Sequence, residues 1–202
     1  MSANRVSLLT VLSLLAFAGN SVLCRIALKE TPIDAASFTS IRLISGALVL
    51  YLIANTFRRN EMGRGSWTSA LALFVYAAAF SFAYVNLSAA TGALILFGAV
   101  QATMIGHGIV SGDRFQKLQM LGLGLALLGL VGLLLPGLSA PPLFASILMC
   151  SSGVAWGVYS LRGKGSGDPT RVSAGNFVRA ALLGCLLSGL FHSSGHLDIT
   201  GV

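Results

Sequence analysis

Charge is what this chain lacks most. Of its 202 residues only 9% are Asp, Glu, Lys or Arg, against about a quarter in a soluble domain. So few charges cannot clothe a water-facing surface, and no part of the chain reads as a soluble domain. Acid is scarcest: the six carboxylates are Glu30, Asp34, Glu61, Asp113, Asp168 and Asp198, and all fall near breaks between apolar runs. No carboxylate stands mid-run. This argues against an exporter that exchanges protons for cationic drugs on a buried acid. Cys24, Cys150 and Cys185 form no CxxC pair and no cluster with His, which leaves buried free thiols rather than a disulfide framework or metal site. No GxxxxGK[ST] loop, no HExxH and no protease-like Ser–His context occurs. ATP-driven pumping and intramembrane hydrolysis are therefore unsupported, and the expectation is a non-enzyme without cofactor or metal.

Apolar residues are abundant, at 55% of the chain with a mean hydropathy of +0.83. A spanning helix needs about 20 mostly apolar residues. Seven segments meet that need: Val6–Leu23, Ala35–Ala54, Trp67–Leu87, Gly92–Val110, Leu118–Leu135, Leu143–Leu161 and Val172–Leu190. Spanning strands would be half as long and would alternate. The fold class is thus all-α integral membrane, with about seven transmembrane helices. Arg5, the run Val6–Leu15 and Ala16-Phe17-Ala18 imitate a signal peptide, but the run continues through Leu23 and reads as a first helix.

The net charge of +7 carries no nucleic-acid module and is read as topology. Arg5, Arg58, Arg59, Arg64, Arg114, Lys117, Arg162, Lys164 and Arg171 fall on one side of the membrane, and Arg25 and Lys29 on the other. By the positive-inside rule the N-terminus is cytoplasmic, residues 192–202 lie outside, and the site of residence is the inner (plasma) membrane.

A weak internal repeat appears at a shift of 137 residues, where Thr31–Arg42 meets Asp168–Arg179. Pro32 then meets Pro169, Arg42 meets Arg179, and Thr39 meets Asn176. A unit of five helices enters the membrane inverted the second time, and inverted repeats mark secondary transporters. Residues 1–137 form the first unit on this reading, and 138–202 two helices of a second. The expectation is that three helices are missing, the chain being a fragment or a shortened product that does not transport alone.

Ala93-Leu94-Ile95-Leu96-Phe97-Gly98, Gln101, Gly112-Asp113-Arg114 and Leu121-Gly122 through Pro136-Gly137 resemble the fourth and fifth helices of the EamA-type drug/metabolite transporters. Ala155-Trp156-Gly157 resembles the opening of a repeat in that family, and Arg42 and Arg179 match an Arg often found early in the second helix of each repeat. The resemblance covers nearly the whole chain through loose motifs. Asp113 stands where Glu is more usual, and the first helix reads Ala18-Gly19-Asn20 with no Trp. The resemblance implies ten helices in two inverted repeats around a central substrate cavity.

Six residues are expected to face substrate: Asn20, Arg42, Gln101, Trp156, Asn176 and Arg179. The two arginines invite an anionic or zwitterionic compound. The competing reading is snorkelling, since each lies within reach of a membrane face. Tyr84, Asn86, Tyr159 and His107 fit packing or interface roles better. The small-residue stripe Gly122, Ala126, Gly129 and Gly132 suits close helix packing and leaves a homodimer open. The expected function is secondary transport of small polar metabolites, as an exporter, with the lipid bilayer and a small-molecule substrate as partners. The alternative is a truncated, non-transporting membrane protein or partner subunit. Substrate identity, direction and coupling ion are not encoded in these patterns.

Overall fold

The computed structural model describes residues 3–56, 64–112 and 141–191, with 121, 122, 124, 125 and 128. Among these residues six helices are long and apolar enough to cross a membrane: α1 (Ala3–Glu30), α2 (Ala35–Thr56), α3 (Trp67–Tyr84), α4 (Ala89–Val110), α5 (Leu143–Gly163) and α6 (Pro169–Phe191). The described residues contain no strand, as expected where each backbone group needs a partner within its own segment. The expected segment Leu118–Leu135, its small-residue stripe, the Asp113–Arg114 turn and residues 192–202 lie outside the described residues, apart from the five single positions, which are helical.

Short polar side chains start the helices. Asp34 Oδ1 accepts from the amides of Ala36 (2.9 Å) and Ser37 (3.0 Å) at the start of α2. Asp168 Oδ1 accepts from the Arg171 amide (2.8 Å) at the start of α6. Ser66 and Ser88 cap α3 and α4 in the same way. Each satisfies an amide that has no partner within its helix. Burial alone would raise the Asp34 carboxyl, but the hydrogen bonds from Ser37 and Ala36 outweigh it and hold the group below the usual carboxylate range. Two of the few acids are therefore helix caps.

The first helix runs past the expected end at Leu23 to Glu30, so Arg25 is a helical residue and not a loop charge. Its guanidinium Nη1 donates to the carbonyls of Tyr84 (2.6 Å) and Val85 (3.1 Å). Those carbonyls are left over where α3 ends, the end of a helix that favours cations.

The closest packing pairs α3 with α5, α2 with α6, and α4 with α5. Leu73, Phe80, Tyr84, Leu87 and Met149 form the fully buried centre. Small residues permit two of these approaches. A Cβ at Gly153 would sit 2.5 Å from the Leu96 carbonyl oxygen, and one at Gly157 would sit 2.9 Å from Thr103 Cβ. Gly153 and Gly157 thus form a small-xxx-small seam of α5 against α4. Serines fasten the rest. Ser40 Oγ donates to the Gly184 carbonyl (2.7 Å) and Ser188 Oγ to the Ala36 carbonyl (3.0 Å), joining α2 to α6. Ser152 Oγ donates to the Tyr76 carbonyl (2.9 Å), joining α5 to α3.

α1 is the outlier. It touches α3 and α4 lightly and buries only Ser21, Cys24 and Leu28. Most of its other apolar side chains, Leu8, Leu14, Leu15 and Leu23 among them, are exposed, which suits a helix bathed in lipid.

Candidate functional site

Arg42 enters the membrane on α2, seven residues after the helix begins, or roughly 10 Å at 1.5 Å per residue. A guanidinium at that depth needs partners, since a charge at the bilayer centre costs at least about 2.5–3.5 kcal/mol. Two aromatic faces supply part of the compensation: the Arg42 guanidinium lies 5.0 Å from the Phe80 ring centroid and 5.6 Å from that of Phe38. Each such contact is worth about 0.5–2 kcal/mol. Arg42 Nη2 also donates to Asn20 Oδ1 of α1 at 3.3 Å.

Arg42 Nη1 is buried and has no hydrogen-bond partner among the described residues. A charged donor left unsatisfied in this way is costly, at 1–3 kcal/mol or more. The site therefore holds an unused cationic donor beside aromatic rings.

That surrounding is continuous. Tyr76 packs on Phe80 (5.5 Å between centroids) and on Trp156 (4.7 Å). Trp156 packs in turn on Phe17 of α1 (5.9 Å) and on Tyr159 (5.5 Å), and Phe17 meets Phe97 of α4 (6.0 Å). Five helices contribute to one cluster: Asn20 and Phe17 from α1, Arg42 from α2, Tyr76 and Phe80 from α3, Phe97 from α4, and Trp156 from α5.

Of the six residues expected at the site, the structure brings together Asn20, Arg42 and, through Tyr76, Trp156. Asn176 is elsewhere. It is 2% exposed, and its Oδ1 accepts from the Ser66 amide at 2.8 Å, holding the loop before α3. Gly65 makes that approach with a left-handed φ of 65°, open to glycine without cost. Arg179 is near Asn176. Its Nη1 donates to the carbonyls of Arg64 (2.7 Å) and Gly175 (2.8 Å), and its guanidinium lies over the Trp67 ring. Arg42 and Arg179 thus sit by opposite ends of α3. Gln101 is exposed on α4, one turn after Phe97. Thr39, three residues before Arg42 on α2, is fully buried and returns its hydroxyl to the Ala35 carbonyl.

Tyr76, Phe80, Phe38 and Phe17 were not singled out from the sequence. A signal was available for two of them: Tyr76, Phe80 and Tyr84 recur every four residues, placing three rings on one face of α3.

The EamA-like transporter family matches this chain over residues 4–135, and the chain belongs to it. It is a multi-pass membrane protein of transporter type. The chain is also similar to "Uncharacterized protein PA1977" of Pseudomonas aeruginosa. The two are 57% identical over 203 residues, an alignment that takes in all of this chain and 71% of that protein. No solved structure matches it.

Proposed function

We propose that the chain takes part in export of small anionic or zwitterionic metabolites, with Arg42 receiving the negative group. The observation that carries this reading is the buried Arg42 Nη1 without a partner. A charged donor held open at that cost is well suited to a carboxylate or similar oxyanion, and Arg supplies two parallel N–H groups for one. The rings of Tyr76, Phe80 and Trp156 beside it offer contact to the apolar part of such a solute. Asn20, whose Oδ1 holds Arg42 Nη2, sets the direction of the fork. Uptake of labelled solutes into proteoliposomes that hold the chain extended by the three further helices of a ten-helix relative tests the substrate class. Anionic and zwitterionic compounds should accumulate above protein-free vesicles, and primary amines of similar size should not. Equal uptake of amines and anions would refute it.

The reading extends to an inner-membrane location, a cytoplasmic N-terminus and a cavity between two inverted units. It is supported by the loop charge bias and by the placement of Arg42 and Arg179 near opposite ends of α3. Reporter fusions in the Pro32 loop should read external and those in the Pro169 loop cytoplasmic. The same reading from both loops would overturn the inverted arrangement.

A further inference from the structure

We propose a second site, for a phosphate-type oxyanion, at the opposite end of the bundle from Arg42. A cavity of about 260 Å³ lies there, lined by Arg64, Ser66, Ser69, Arg162 and Ser166. One water needs only about 10–15 Å³, so the space takes a ligand of several heavy atoms.

The lining is selective in charge. Arg64 and Arg162 both line the cavity, and no carboxylate does so among the described residues. Asp168, two residues past Ser166, turns its Oδ1 to the Arg171 amide at the start of α6, and Glu61, three residues before Arg64, lies outside the described residues. Two cations sharing one recess repel each other, and an anion between them removes that repulsion.

The donors are also free to act. Arg162 spends its Nε on Ser69 Oγ (3.2 Å) and its Nη2 on Thr68 Oγ1. These bonds fix the plane of the guanidinium and leave three of its five N–H groups. The Arg64 side chain donates to nothing among the described residues, and only its backbone carbonyl is engaged, by Arg179. Ser66 and Ser69 are already bonded to each other at 2.9 Å, so hydroxyl and guanidinium groups form one rigid wall. A carboxylate would use few of these donors. A phosphate has more acceptor oxygens and matches the planar guanidinium fork.

Basic recesses between membrane helices hold lipid headgroups, and a phosphorylated solute presents the same chemistry. The two sources separate by experiment. The full chain is placed in phosphatidylcholine nanodiscs and titrated in one arm with spin-labelled phosphatidylglycerol and in the other with radiolabelled inorganic phosphate. Saturable binding is expected in one arm. Saturation by the lipid assigns the site to headgroups, and saturation by phosphate assigns it to a soluble ligand; either supports the site. Arg64→Gln removes no side-chain hydrogen bond among the described residues and should fold normally, yet weaken binding about tenfold or more, the loss expected for one charge-assisted hydrogen bond. Arg162→Gln should weaken it as well. Absence of saturable binding in both arms, or wild-type binding by Arg64→Gln, would overturn the proposal.

Discussion

Asn20 Oδ1 and Arg42 Nη2 are 3.3 Å apart, and this contact joins α1 to α2 at the aromatic cluster. Asn20 is neutral, so it orients the guanidinium without neutralising it. Replacing Asn20 by Asp keeps the shape and adds a negative charge at hydrogen-bond distance. The new carboxylate would occupy the cation in place of a solute. Anion uptake by Asn20→Asp should therefore fall to background, while Asn20→Ala should raise KM several-fold and leave kcat closer to wild type. Wild-type uptake by Asn20→Asp would remove Asn20 from the account.

The approach of α5 to α4 rests on the missing side chain at position 153. A methyl group there would press on the Leu96 carbonyl and on Ala99. Backbone cannot rotate away, so Gly153→Ala should destabilise the chain by about 1–3 kcal/mol, the usual range for overpacking. Gly106 of α4 has open space around its Cβ position, and Gly106→Ala should be neutral or slightly stabilising. Thermal melting in detergent compares the two. Equal melting points would show that the α4–α5 seam tolerates more than its geometry suggests.

The helical, membrane-spanning character was legible because length and apolarity alone dictate it. The boundaries were less so. Arg25 looked like a loop charge because a cation ends an apolar run, but its length lets the guanidinium reach the carbonyls at the end of α3 while its backbone stays helical. The site was legible in part. Arg42 and Asn20 stood out as polar groups within apolar segments, and Trp156 as an aromatic in a motif. Their meeting depends on how α1 and α2 pack, which periodicity within either helix does not record. Asn176 carried the same sequence signal as Asn20. Its partner is the amide of Ser66, 110 residues away, and a buried polar group looks alike from sequence whether it serves a loop or a solute. Gln101 stood near mid-helix, but depth along a helix does not tell which face it occupies.

The most direct test of the central claim is anion uptake in proteoliposomes by the same three-helix-extended chain carrying Arg42→Gln or Arg42→Lys, compared with the unsubstituted extended chain (the wild type here) under the same gradient. Loss of a buried, charge-paired donor costs about 2–5 kcal/mol of binding, so kcat/KM for Arg42→Gln should drop at least about thirtyfold at 1.4 kcal/mol per tenfold. Arg42→Lys keeps the charge but loses the planar fork and should fall between the two. Neutral-solute leakage should be identical in all three. Anion uptake by Arg42→Gln at the wild-type rate, in protein that folds and melts normally, would contradict the assignment of Arg42 as the group that receives the substrate.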